Sequence, residues 1–172
     1  QLGKGAFGKV FLAKDKNNDN QERAVKKYGL TAAQQSLDAI YEEFTLLLNI
    51  DHQNIARNFE IFKDDAMIYL VSEPYSGGDL TKLKESAQAQ GVQQTPQWWS
   101  RIWHQVCAGL YFLHQKHVIH CDIKEDNVMI AGKSNWEEPH VVIIDFGISL
   151  NFVSPGAVGG TPGYIPPEVW MK

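Results

Sequence analysis

Apolar positions along the first part of the chain come in short runs broken by polar turns. Gln1–Leu12 alternates glycine with apolar residues, Asn17–Asn20 forms a polar turn, and Arg23–Tyr28 returns as a short strand. From Thr31 to Ile50 the pattern changes. Leu37, Ile40, Tyr41, Phe44, Leu47 and Leu48 recur at intervals that predict a helix, with Thr31 as its candidate N-cap. Ile55–Phe62 and Met67–Val71 predict two further strands joined by Lys63, Asp64 and Asp65. Pro74 and Gly77-Gly78 then punctuate the chain, so the expected lobes are residues 1–75 and 76–172. In the second lobe Asp79 is expected to cap a short helix, and Gln88–Gln94 reads as a polar loop. Pro96–Lys116 carries Trp99, Ile102, Trp103, Val106, Leu110 and Leu113 at helical spacing, with the tryptophans expected in the core. Val118–Met129 and Val141–Ile144 are strand-like pieces. Ser149–Pro167, rich in glycine and proline, reads as a loop.

Composition narrows the class. Hydrophobic residues make up 44% and charged residues 21% of 172 residues, which excludes a disordered chain. Sixteen basic residues against 20 acidic ones leave a net charge of −4, a poor balance for binding nucleic acid through its phosphates. No apolar run is long enough to span a bilayer. Cys107 and Cys121 have no framework spacing, so free thiols in a reducing, intracellular compartment, cytoplasm or nucleus, are expected.

Three segments carry candidate chemistry. Gly3-Lys4-Gly5-Ala6-Phe7-Gly8-Lys9-Val10 fits G-x-G-x-x-G-x-V, in which glycines let backbone N–H groups approach a polyanion. A dinucleotide site would need a helix directly after the glycines, and here strand-like Val10-Phe11-Leu12 follows. Lys26 of Ala24-Val25-Lys26 sits in an apolar strand, where an ammonium needs an anion, and Glu42 and Glu43 are available on the next helix. His120-Cys121-Asp122-Ile123-Lys124-Glu125-Asp126-Asn127, followed by Asp145-Phe146-Gly147, supplies what phosphoryl transfer requires. Asp122 could accept a hydroxyl proton, Asn127 and Asp145 could hold Mg²⁺, and Lys124 could stand beside the moving phosphate.

With Pro166-Pro167-Glu168 in the place of Ala-Pro-Glu, these motifs resemble the eukaryotic protein kinase family over essentially the whole chain. The resemblance implies an α+β, two-lobed kinase-like fold: a small β-rich N-lobe with one long helix, and a helical C-lobe cut short after the activation segment. It implies ATP and Mg²⁺ as cofactors and a protein substrate with a Ser or Thr acceptor. Lys26 would hold the α- and β-phosphates and pair with Glu43, which begins Glu-x-x-x-Leu (Glu43 to Leu47). Gly3, Gly5 and Gly8 would cover the phosphates. Leu2, Val10, Ala24 and Met129 would enclose the adenine. Glu73 and Tyr75 resemble hinge positions offering backbone hydrogen bonds, behind a small Ser72. Asp79 would lie near the ribose. Thr161 and Lys124 resemble features of the Ser/Thr branch.

Some positions depart from the pattern. Cys121 stands where most members carry an Arg that pairs with a phosphorylated residue, so activity independent of that pairing is expected. Pro166 for Ala is expected to be mild. Lys133–Pro139 is expected to form a solvated hairpin, with Glu137 and Glu138 on its wet face. Members of the family continue past Glu168 with further helices, so residues 1–172 alone are expected to be marginally stable and nearly inactive. A pseudokinase or scaffolding module is the competing function. It usually lacks residues of the Lys26, Asp122 or Asp145 type, and all three are present.

Overall fold

A computed structural model describes residues 3–5, 8–29, 41, 45, 47–145, 150–151, 161, 163–165 and 167–170. Leu2, Glu43 and most of the helix expected over 31–50 lie outside the described residues. Of that helix Tyr41 and Thr45 are helical, and the Thr45 hydroxyl donates to the Tyr41 carbonyl at 2.8 Å. A 3₁₀ turn follows at Leu47–Asn49.

The fold is α+β and divides into two units, residues 1–51 with 56–74, and residues 52–55 with 75–172. The first unit is built on five antiparallel strands: β1 (Gly3–Gly5), β2 (Gly8–Asp15), β3 (Gln21–Gly29), β4 (Asn58–Lys63) and β5 (Met67–Ser72). Their order is β1-β2-β3-β5-β4. Successive side chains on a strand alternate faces, so register decides which residues meet. Lys26 lies opposite Val10 on one side and Leu70 on the other, and Ala24 lies opposite Leu12 and Ser72. Val10, Ala24 and Lys26 therefore share the face that buries Ile61, Ile68 and Leu70. Lys27 points to the other face, over the Tyr69 ring at 5.3 Å. There Phe62 stacks on Tyr69 with centroids 4.7 Å apart, and the Tyr69 hydroxyl donates to Asp64 at 2.8 Å.

The strand expected from Ile55 starts three residues later. Ile55 instead makes a parallel bridge to Ile143, and the Ile143 N–H donates to the Asn54 carbonyl at 2.9 Å, which places residues 52–55 in the second unit.

The second unit carries helix α1 (Leu80–Ala89), helix α2 (Pro96–Gln115), short strands β6 (Val118–Ile119), β7 (Val128–Ile130), β8 (Val141–Ile143) and β9 (Leu150–Asn151), and a short helix α3 (Pro167–Trp170). α1 runs into the expected Gln88–Gln94 loop and stops before Gly91, whose φ of +76° suits only glycine at little cost. α2 starts where Thr95 accepts from the Trp98 N–H at 3.2 Å and Pro96 takes the first turn. The buried stripe of α2 is Trp98, Ile102, Val106, Gly109 and Leu113. The expected tryptophan core is corrected in part: Trp103 is 51% exposed and Trp99 half-buried, while Trp98 is buried. A glycine explains the rotation. A Cβ at Gly109 would meet Ile143 Cδ1 at 2.9 Å and the Asn54 carbonyl at 3.0 Å, so the helix presents its smallest residue to the β8 hairpin.

β7 and β8 form an antiparallel hairpin, and β6 pairs with β9 inside the stretch expected to be a loop. The turn over 133–139 is solvated but tied down. The Trp98 indole donates to the Trp136 carbonyl at 3.0 Å, and Arg101 reaches Glu138 at 3.0 Å.

Candidate active site

The loop after β6 turns on one imidazole. His120 is buried; its Nδ1 accepts the Asp122 N–H at 3.3 Å, so its Nε2 carries the proton and donates to the Ile144 carbonyl at 2.8 Å. Burial pushes His120 below the ordinary imidazole range, outweighing the Ile144 carbonyl and the carboxylates of Asp145 and Asp122, which act the other way. Cys121 between the two anchors is forced to φ +63°, a left-handed backbone that costs a residue with a Cβ about 1 kcal/mol or more. Cys107 and Cys121 are both free thiols.

Asp122, 3% exposed, is the centre of the polar cluster. Its Oδ2 accepts from Lys124 Nζ at 2.8 Å and from the Asn127 amide at 2.9 Å. Its Oδ1 accepts the Thr161 hydroxyl at 2.5 Å, and that hydroxyl accepts from Lys124 Nζ at 2.5 Å. Burial alone would raise the carboxyl; the hydrogen bonds from Lys124, Thr161 and Asn127 overcome it and hold Asp122 below the usual carboxylate range. Thr161 Oγ1 is thus an aliphatic hydroxyl resting on an ionised carboxylate beside an ammonium.

Asn127 closes the 3₁₀ turn Glu125–Asn127 and is itself buried. Its amide nitrogen is committed to Asp122, to the main-chain carbonyl at 2.7 Å as well as the carboxylate, so the amide oxygen is the side-chain atom it could offer a metal. The Ile144 N–H donates to the Asn127 carbonyl at 2.9 Å, so the backbone brings Asp145, the next residue, to the same place. Asp145 has φ +67°. An amide oxygen and a carboxylate are hard donors that suit Mg²⁺, which keeps several waters and takes phosphate oxygens for the rest of its shell. Among the described residues there is no group of three or more His, Cys, Asp or Glu that could hold a metal ion.

The remaining sequence-expected residues fall in two places. In the first unit Gly3 and Gly5 on β1 face Val10 and Gly8 on β2, and Lys26 lies beside Val10. Lys26 Nζ stands 5.0 Å from the Tyr28 ring centroid. The Glu73 N–H is spent on the Arg57 carbonyl at 3.0 Å, so of its two main-chain groups the carbonyl is the one left to offer. In the second unit, which also holds Tyr75, Asp79 and Met129 form an antiparallel bridge, and the Ile130 N–H donates to the Gly78 carbonyl at 2.8 Å. Asp79 stands at the N-cap position of α1 without a side-chain bond to the helix backbone, and its carboxylate accepts the Thr81 hydroxyl.

Sequence reasoning gave Asn54, Gln105 and Glu125 no role. Gln105 Oε1 accepts from both the Asn54 amide at 3.1 Å and the Val141 N–H at 2.9 Å, while its Nε2 donates to the Pro139 carbonyl at 3.0 Å. The Asn54 amide also donates to the Val141 carbonyl at 2.8 Å. Together they pin the strand that leads to Asp145. The Asn in Asp51-His52-Gln53-Asn54-Ile55 was the available signal; Gln105, inside a helix, gave none.

This arrangement belongs to a known class. The family model for the protein kinase domain matches residues 1–172, and the chain belongs to that family. It is 36% identical to calcium-dependent protein kinase 4 of Plasmodium berghei, over 98% of this chain and 32% of that protein. It is 35% identical to calcium/calmodulin-dependent protein kinase type 1 of Caenorhabditis briggsae, over 99% of this chain and 47% of that protein. It is 31% identical to serine/threonine-protein kinase Nek3 of Mus musculus, over 98% of this chain and 32% of that protein. The chain therefore spans between about a third and a half of these relatives. Among the described residues no helix is long and apolar enough to cross a membrane.

Proposed function

We propose that the protein transfers the γ-phosphoryl group of Mg²⁺-bound ATP to Ser or Thr hydroxyls of protein substrates. The observation that carries this reading is the Asp122–Thr161–Lys124 cluster: the Thr161 hydroxyl on Asp122 Oδ1 at 2.5 Å, with the Lys124 ammonium 2.5 Å from that hydroxyl's oxygen. A substrate alcohol brought beside the Thr161 hydroxyl would meet the same carboxylate and have Lys124 near its oxygen. A carboxylate held below its usual range is a weak base. That suits a loose phosphoryl transition state, which needs orientation and charge neutralisation more than early deprotonation.

Asn127 and Asp145 would hold Mg²⁺, which when bound neutralises phosphate charge. Lys26 would take the α- and β-phosphates and Glu43 would orient Lys26. Leu2, Val10, Ala24 and Met129 would contact adenine, main-chain groups of Glu73 and Tyr75 would bind its edge, and Asp79 would meet the ribose. Gly3, Gly5 and Gly8 would let the β1–β2 backbone approach the phosphates. Ser/Thr preference is supported by Lys124 and Thr161 at the acceptor position. An intracellular location, cytoplasm or nucleus, is supported by the two free thiols.

The test is transfer of label from γ-labelled ATP to a basic Ser/Thr peptide by the full-length protein with Mg²⁺, beside Asp122→Asn. The expected result is transfer by the wild type and, in the variant, nucleotide binding with transfer reduced at least a hundredfold. Wild-type protein that binds nucleotide and transfers nothing would make it a scaffold and overturn the reading.

A further inference from the structure

The segment carrying Thr161 is fixed to the Asp122 loop at a second point. The Tyr164 N–H donates to the Thr161 carbonyl at 3.0 Å, closing a turn that contains Gly163 at φ +95°. Thr161 anchors one end of this turn on Asp122 and Lys124. At the other end the Tyr164 hydroxyl donates to Glu125 Oε2 at 2.5 Å. Glu125 opens the 3₁₀ turn whose last residue, Asn127, holds Asp122. Both anchors therefore stand on one hydrogen-bonded loop.

A single anchor would let the turn swing about the Thr161 side chain; two anchors three residues apart remove that freedom. Tyr164 is 51% exposed and Glu125 is exposed, so a hydrogen bond to an ionised acceptor sets the direction of the ring, not burial.

We propose that Tyr164 and Glu125 are positioning residues, whose hydrogen bond holds the Thr161–Tyr164 turn in the orientation that an acceptor peptide meets. The effect on peptide rests on the phosphoryl-transfer reading above. A peptide bringing a hydroxyl to Asp122 must settle against the Thr161 hydroxyl already there. The orientation of the turn thus governs peptide binding and leaves nucleotide binding alone.

Four variants of the full-length protein test this. Tyr164→Phe removes the donor, Glu125→Ala the acceptor, and Glu125→Gln keeps a neutral acceptor; the fourth combines Tyr164→Phe with Glu125→Ala. KM for the peptide is expected to rise about fivefold in Tyr164→Phe and in Glu125→Ala, and less in Glu125→Gln. The double variant is expected to be no worse than either single one, and KM for ATP to stay unchanged. Hydrogen exchange at the Tyr164 amide is expected to speed up in Tyr164→Phe, a readout that does not depend on activity. Unchanged exchange would refute the latch whatever the kinetics show. Faster exchange with an unchanged peptide KM, or single effects that multiply in the double variant, would refute its positioning role. A wild type without transfer would sink the proposed function, while the exchange measurement still decides the latch. Should Tyr164→Phe fail to fold, the same two readouts on the Glu125→Gln and Glu125→Ala pair decide the question.

Discussion

Replacing Asp122 by Asn swaps a carboxylate for an amide of the same shape, so the cost can be followed bond by bond. An amide oxygen at the Oδ2 position still accepts from Lys124 and Asn127, now without charge. The amide nitrogen at the Oδ1 position meets the Thr161 hydroxyl, which already accepts from Lys124 and whose own proton loses its carboxylate acceptor. The Asn127 hydrogen bond thus weakens from charge-assisted to neutral and the Thr161 bond is lost, at about 1 kcal/mol each, while Lys124 keeps a hydrogen bond but loses its ion pair. The variant is expected to be less stable by about 2–3 kcal/mol at neutral pH. That lowers the melting temperature by roughly 4–12 °C for a domain of about 150–250 residues. The pH dependence fixes the cause. Asp122 is held below the usual carboxylate range when folded, so its contribution is fully present above the unfolded pKa, about 4, and fades as pH falls through the lower folded value. The stability gap measured by urea unfolding should therefore stay constant from pH 7 to about 5 and shrink below about 4. A gap absent at pH 7, or one that widens on acidification, would refute the role given to the three donors.

Two further substitutions and one control probe the framework. A Cβ at Gly77 would lie 2.7 Å from the carbonyl oxygens of both Gly132 and Ile130, backbone atoms that cannot yield, so Gly77→Ala should cost about 1–3 kcal/mol in thermal unfolding. Gly132→Ala, with nothing within 4 Å of its Cβ, is the control expected to stay within about 0.5 kcal/mol. Asn54→Asp should be worse, by about 3 kcal/mol or more at pH 7, because a carboxylate would face the Val141 carbonyl and Gln105 Oε1 in a site only 1% exposed. The buried carboxyl would have a raised pKa, so the deficit should narrow as pH falls and the protonated acid donates; a deficit independent of pH would contradict the assigned amide orientation.

The chemistry of the site was more legible than the packing that holds it. Asp122, Asn127 and Asp145 stood out as candidates because phosphoryl transfer demands particular functional groups at short spacing, whereas His120, which the structure places between Asp122 and Ile144, had no role assigned from sequence. The face that α2 buries was not, because apolar residues lie on two neighbouring stripes of that helix. Periodicity weighs Trp103 above Gly109, whereas the close approach of Ile143 and Asn54 selects the glycine. β9, the partner of β6, was hidden in the same way: a two-residue strand leaves no periodicity, and its register is set by a partner more than thirty residues away. Gln105 looks like any polar helical residue until Asn54, Val141 and Pro139 are seen around it.

The unfavourable backbone of the site is held through one ring. Cys121 and Asp145 are both left-handed, at φ +63° and +67°, and each adjoins a residue bonded to His120: Asp122 through its N–H and Ile144 through its carbonyl. Such conformations persist only where their neighbours are over-determined. The ring can bind both segments only while neutral, because a protonated Nδ1 cannot accept the Asp122 N–H. Burial, by keeping His120 below the ordinary imidazole range, holds the ring in that form at neutral pH. Asp122 and Asp145 are then presented from two chain segments 23 residues apart by one uncharged side chain, so that neither carboxylate faces an imidazolium.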